Sequence, residues 1–534
     1  MNDILALIRK EAFRVKSTTW QKWLRRKRRI EKRLRPRAFH ARKRPMFAAR
    51  NIRYEMADRA RAVNCGGIGA VHLLARKVGL IDAIDQDLQL LKTHLPYHES
   101  DHVLNIAYNI VSGGECMQDL ELLRNDEAYL DALGASRIPD PTTAGDFCRR
   151  FESADEVIGL MDTINRVRLK VWAQQAPAFF KRAVIDADGT LAPTGGQCKQ
   201  GMDISYKGQW GYHPLVVSLA NTKEPLYLLN RSGNRPSHEE AAGYFDKSIE
   251  LCRKAGFKSI LLRGDTDFTQ TRELDRWDAA GVAFVFGIDA MANLVAHAET
   301  LPKSAWEALD RPVRYKVKTT PRQRPQNVKE RIVRERQFKN IRLAGEDVAE
   351  FSYRPTLCHK LYRLIVVRKN LSVAEGENVL FDDVRYFFYI SNDCGPTARQ
   401  IVLLANGRCD QENVIEQLKN GVHAMKLPVD NLLSNWAYMV MASLAWTLKA
   451  WYGLMLPEAA GRGAAGHAAA RKCRREHKRQ IVRMEFKAFV ANLIRLPCQI
   501  IKGGRRLIYR LLSYNPWQQV LLSGAAAWRT RRQC

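Results

Sequence analysis

The chain has 534 residues, 46% of them apolar, and carries 86 Lys and Arg against 56 Asp and Glu, a formal charge of +30. That length is too great for one hydrophobic core and suggests about two to four domains, while so large a positive surplus favours nucleic acid or an anionic membrane surface as partner. Eleven cysteines, with no C-x-x-C pair among them, argue against a zinc ribbon or a disulfide framework.

In chain order, the opening M-N-D-I-L-A-L-I-R-K puts its apolar residues before its charge, the reverse of a secretory signal, and implies a cytoplasmic protein. Residues 1–56 read as a basic N-terminal arm: Arg9 to Arg50 hold 18 Lys or Arg against Glu11 and Glu31, with Trp20, Trp23 and Phe39 interleaved. Such a run is either a solvated, partly helical tail or an arm on a DNA backbone. Residues 57–160 read as a helical domain, because apolar residues recur at three- and four-residue intervals in A-V-H-L-L-A-R-K-V-G-L, H-V-L-N-I-A-Y-N-I-V-S-G-G and M-Q-D-L-E-L-L-R-N-D; that it is a DNA-binding domain is an expectation by analogy alone. After the turn P-D-P-T-T, Thr142 or Thr143 is expected to cap the helix bearing Phe147 and Phe151.

At Ala183 the pattern changes to alternating strand and helix. A-V-I-D-A-D, P-L-V-V-S-L-A and E-P-L-Y-L-L-N-R are strand-like, Ser237 to Ala255 is amphipathic, and S-I-L-L-R-G-D and V-A-F-V-F-G-I-D are further strands. Three strands, helix, strand, helix, strand is the order of an RNase H-like mixed sheet. The expected fold is therefore α/β, an RNase H-like mixed-sheet catalytic core in two parts, 161–300 and 393–456, interrupted by a β-rich insertion at 301–392. The insertion contains the basic stretch Lys316 to Arg342. Trp436 to Leu448 is apolar but too short for the roughly 20 residues that span a bilayer, so it reads as a buried core helix. A linker, A-A-G-R-G-A-A-G, leads into a basic helical C-terminal region within 457–534.

Three acidic positions stand out against this positive background. Asp188 ends A-V-I-D-A-D, where alternation puts Asp186 and Asp188 on one face, and Asp265 ends I-L-L-R-G-D. Neighbouring strand ends in a mixed sheet bring two such carboxylates within reach of one metal ion. Arg408, Glu412, Glu416 and Lys419 follow at spacings of 4, 4 and 3, one face of a helix. That spacing also suits a solvated face of i,i+4 ion pairs; in the functional reading Glu412 joins the metal while Arg408 and Lys419 clamp DNA phosphates beside it. Carboxylates and metal within a phosphate-gathering surface suit phosphodiester cleavage or transfer.

These residues resemble the DDE transposases of bacterial insertion sequences, in particular the insertion sequence 1380 branch, related to the group with the signature Tyr-x2-Arg-x3-Glu-x6-Lys. Arg408-x3-Glu412-x6-Lys419 matches, with Ala405 at the Tyr position; D-A-D-G-T and R-G-D-T-D-F look like the two catalytic Asp motifs, with Asp267 where Gly is usual. The likeness runs from about Gly66 to Trp517. It implies that Asp188, Asp265 and Glu412 are catalytic and hold two Mg2+ ions about 3.5 to 4 Å apart, with Mn2+ as a substitute. It further implies cleavage at transposon ends and strand transfer, with double-stranded DNA as partner, both terminal inverted repeats and target. A homodimer assembled on DNA and a bacterial, nucleoid-associated location, away from any membrane, complete the expectation. The alternative is a catalytically inactive, domesticated transposase-derived DNA-binding protein; an RNA-processing nuclease lacks an RNA-stacking motif here.

Overall fold

Strands that are apolar on both faces must be covered on both faces, and that requirement organises the molecule. The computed structural model describes residues 17–34, 49, 52–56, 60–196, 198–311, 339–375, 378–458, 467–503 and 506–529. Most of the basic arm, the basic stretch up to 338, the Gly/Ala linker at 459–466 and the last five residues lie outside the described residues.

Ahead of the sheet come the basic helix α1 (Ser17–Leu34) and a helical unit that includes α2 (Ile68–Val78), α3 (Glu99–Ser112) and α4 (Ala154–Trp172). The short helix Pro141–Cys148 between the last two is capped by Asp140, whose carboxylate accepts from the Thr143 backbone N–H at 2.9 Å. Neither threonine is the cap, because Pro141 takes the first helical position and moves the cap back to Asp140.

The sheet starts with β1 (Ala183–Gly189), β2 (Leu215–Leu219) and β3 (Glu224–Leu229), continues through α5 (Ala241–Ala255), β4 (Ile260–Gly264), α6 (Thr271–Ala279) and β5 (Ala283–Ile288), and then takes in β6 (Lys339–Tyr353), β7 (Tyr362–Glu375) and β8 (Asn378–Ser391). Its spatial order is β3-β2-β1-β4-β5-β8-β7-β6, with the two-residue strand Glu307–Ala308 at the far edge. β1 runs antiparallel to β2 and parallel to β4, β4 runs parallel to β5, and β8 joins β5 antiparallel through Phe388 to Ser391. The β-rich stretch thus adds its strands to the open edge of the central sheet. Alternation sends Leu262, Phe284, Phe286, Leu364 and Val366 into one core and Leu261, Val285, Ile365 and Val367 into another on the opposite face.

Beyond the sheet lie α7 (Ala398–Asn406), α8 (Cys409–Glu416) and α9 (Leu432–Leu454), then α10 (His467–Arg483), β9 (Cys498–Gly503), β10 (Arg506–Leu511) and α11 (Gln518–Trp528). α9 is buried from Ser434 to Leu454. Its indoles tie it to the sheet: Trp446 Nε1 donates to the Lys223 carbonyl at 2.6 Å and Trp451 Nε1 to Glu224 at 2.8 Å. Glu224, wholly buried, also accepts from Arg168 and Trp172 of α4, each at 3.0 Å, so its charge is fully hydrogen-bonded as burial demands. No helix among the described residues is long and apolar enough to cross a membrane.

Candidate active site

The two strand-terminal aspartates come together because β1 and β4 are parallel neighbours. Asp186 lies opposite Arg263 in the β1–β4 register, and two residues further along each strand stand Asp188 and Asp265. Arg263 grips Asp186 with both ends of its fork, Nε to Oδ1 at 2.6 Å and Nη2 to Oδ2 at 2.7 Å, and gives Nη1 to the Leu404 carbonyl at 2.9 Å. Asp186, 1% exposed, is thereby committed to holding β1, β4 and the end of α7 together. Asp188 is left to face the site.

The third acid arrives on α8, which is fastened to β2 by a buried glutamine. Gln411 donates from Nε2 to the Val216 carbonyl at 2.9 Å and accepts from Ser218 Oγ. With Gln411 turned inward, the adjoining Glu412 faces solvent, its side chain 64% exposed. α8 ends at Glu416 and the chain widens into a π-turn, Gln417–Gly421, closed by the Val422 N–H on the Gln417 carbonyl at 2.8 Å. The regular four-residue spacing therefore stops before Lys419: Glu416 receives a hydrogen bond from Asn420, and Lys419 sits on the π-turn.

Arg408, one residue ahead of α8, joins the three acids. Its Nη1 lies 3.3 Å from Asp188 Oδ2 and 3.6 Å from Asp265 Oδ2, and its Nη2 lies 4.0 Å from Glu412 Oε1. Burial, and after it the negative charge of Asp265, push the Asp188 carboxyl up to about 7 against the pull of Arg408. Asp265 is raised too, chiefly by burial, with Arg408 opposing and Asp267 adding to the rise. Burial lowers Lys419, which Glu416 and Asp188 partly restore. The site is short of positive charge even with Arg408 in it.

Its donors are hard carboxylate oxygens from three separate elements, the set that magnesium or manganese prefers. Among the described residues no three His, Cys, Asp or Glu side chains are already drawn together as a ligand group; the guanidinium stands between the acids instead. The donor chemistry and the charge deficit both fit a divalent cation, and Asp188, Asp265 and Glu412 are residues that could hold it.

Arg263 and Gln411 were not singled out by sequence reasoning. Arg263 closes the otherwise apolar run I-L-L-R-G-D, which is the available signal for a buried polar anchor, whereas Gln411 stands among polar residues in C-D-Q-E-N and carries no such signal. His213 packs its ring against Gly189, where an added Cβ would lie 2.9 Å from Nε2, and its Nδ1 is 2.7 Å from the Arg235 carbonyl.

Fold and site together define a mixed α/β protein with a carboxylate site at the carboxyl ends of two parallel strands. The family model for the transposase DDE domain, group 1, matches residues 48–533, and the chain belongs to that family of DDE transposases. No curated protein matches it. A solved structure described as a piggyBac transposase synaptic complex with hairpin DNA is similar at 9% identity, covering 82% of this chain and 88% of that chain, with a TM-score of 0.35.

Proposed function

We propose that the chain is an active transposase that cleaves DNA at transposon ends and joins the ends to target DNA, using Asp188, Asp265 and Glu412 as its catalytic carboxylates. The observation that carries this reading is the meeting of three acids, from β1, the end of β4 and α8, on the single guanidinium of Arg408. The five strands β3-β2-β1-β4-β5, two antiparallel joins followed by two parallel ones, support an RNase H-like core, with 301–392 as its β-rich insertion. The insertion sequence 1380 branch, and with it a bacterial, cytoplasmic and nucleoid-associated setting, is the reading that the Arg408, Glu412 and Lys419 spacing supports.

DDE transposases work with divalent metal ions, and here two Mg2+ ions are proposed. When bound, they supply Lewis-acid polarisation of the scissile phosphate and a water or 3′-hydroxyl that is easier to deprotonate. The protein's own part is positional. Asp188 and Asp265 are set by strand ends that cannot move independently, since the Asp186–Arg263 pair locks β1 to β4. Glu412 is set by the Gln411 anchor. Arg408 and Lys419 contact the DNA phosphate next to the cleaved bond, and the basic surface gathers terminal inverted repeats and target through their backbones. A homodimer on DNA would present one such centre to each transposon end.

Strand cleavage by Asp188→Asn, Asp265→Asn and Glu412→Gln is the test. Each variant is expected to lose metal-dependent nicking of end-containing DNA while retaining wild-type affinity for that DNA. Nicking by all three at the wild-type rate would overturn the assignment of these carboxylates, and no nicking by the wild type would leave the DNA-binding, non-catalytic alternative.

A further inference from the structure

We infer that Arg408 is an exchangeable counter-ion of the acidic site: its guanidinium partly offsets the charge of Asp188, Asp265 and Glu412 until a divalent cation displaces it. This rests on the reading of those acids as metal ligands.

The geometry makes the two occupants exclusive. A magnesium ion needs carboxylate oxygens at about 2.0 to 2.1 Å, and the Asp188 and Asp265 oxygens that would supply them already face Nη1 at 3.3 and 3.6 Å. A cation drawn in close to both would share that space with a positive group, so one must leave. Arg408 is built to leave. Among the described residues its ion pairs are with these three acids alone, so a metal that takes the acids releases the guanidinium altogether. Its backbone, by contrast, is pinned. At Gly407 an added Cβ would lie 2.2 Å from Arg263 Nη1, so the chain passes over the buried Arg263 with no room for a side chain, and Arg408 follows directly. The Arg408 side chain is 21% exposed and has a long, multiply rotatable stem with which to turn outward from that fixed point.

The consequence is a coupling between metal and DNA. Metal entry frees a guanidinium at the site's rim, where a phosphate can take it with two parallel hydrogen bonds. By linkage, DNA that holds Arg408 outward raises metal affinity by the same factor.

The test measures Mn2+ binding to the full chain by electron paramagnetic resonance, without DNA, for the wild type, Arg408→Gln, Lys419→Gln and Asp188→Asn. Arg408→Gln is expected to bind Mn2+ on the order of tenfold more tightly, because the competitor is gone. Lys419→Gln removes the same charge from a neighbour that makes no ion pair with the three acids, and its gain should be no more than about a third of that. Equal gains in the two variants, or no gain in Arg408→Gln, would overturn the counter-ion. Wild-type Mn2+ binding by Asp188→Asn would instead remove the metal-site reading underneath, a separate failure. If Arg408→Gln does not fold, the wild type still decides the matter: modification of Arg408 by phenylglyoxal, followed by peptide mass spectrometry, should quicken when Mn2+ is added. An unchanged or slower rate overturns the proposal.

Discussion

Asp186 and Asp188 are two residues apart on one face of one strand, and a single arginine separates their fates. Arg263 takes both oxygens of Asp186, so Asp186→Asn leaves a buried guanidinium short of its partner and should cost about 3 to 5 kcal/mol. Urea denaturation checks this; a variant as stable as wild type would show that the pair is dispensable. Asp188→Asn should behave in the opposite way. Its carboxyl titrates near 7 in the folded chain against a reference value of 3.8, so folding favours the protonated form. Metal-free stability is therefore lost as pH climbs through that interval and stays lost above it. Asn cannot ionise, so the variant should gain on the wild type between pH 5 and pH 8 in the presence of chelator. Parallel stability curves for the two proteins would refute the shift. Strand alternation could place both aspartates on the site's face, but it could not choose between them, because the choice depends on a partner 77 positions away.

Elements were legible in the chain where one local period dominates. The strands at Ala183, Leu215, Glu224, Ile260 and Ala283 follow from apolar runs bounded by turn residues, and α9 from an apolar run too short to span a membrane. What was not legible depends on distant atoms. The π-turn after Glu416 carries Gln417, whose Oε1 accepts from the Phe486 backbone N–H at 2.8 Å, a contact 69 positions along the chain. The continuation of the sheet through β8 rests likewise on a pairing with β5 that no local pattern encodes. Gln411 belongs to the same class, and it gives the element-scale prediction. Gln411→Leu leaves the Val216 carbonyl and Ser218 hydroxyl without their partner, which should cost about 1 to 3 kcal/mol. Because it also loosens α8 on β2, single-turnover cleavage should slow by more than DNA affinity falls. Cleavage at the wild-type rate in a folded Gln411→Leu protein would mean that Glu412 needs no such anchor.

At the scale of the molecule the described segments around Val63 and Cys498, far apart in the chain, are built into one another. Val63 pairs with Cys498 and Ala62 with Gln499, and Gly67 donates to the Ile494 carbonyl at a point where an added Cβ would lie 2.0 Å from the Leu493 oxygen. α1 docks on the same C-terminal region. Trp20 is buried, Trp23 Nε1 donates to the Asn515 carbonyl at 3.3 Å and lies against Tyr514, and Arg26 donates to the Leu511 carbonyl at 2.9 Å. With that stripe turned inward, Lys22, Arg25, Arg28, Arg29, Lys32 and Arg33 are exposed. A helix held in this way presents charge along a line with no base-reading side chain in evidence, so it suits sequence-independent contact with a DNA backbone. Binding of duplex DNA by the full chain should weaken steeply with salt, by about one unit of log-log slope for each phosphate neutralised. Deleting residues 1–56 should flatten that slope while preserving discrimination between transposon-end and random DNA, which we propose falls to the helical unit of α2 to α4. Trp20→Ala with Trp23→Ala should flatten the slope in the same direction without removing a single positive charge, because the helix loses its seat. Salt titrations of the three proteins on both DNAs decide the matter. An unchanged slope in the double variant would show that docking of α1 is immaterial, and lost discrimination on deletion would make the arm itself the reader.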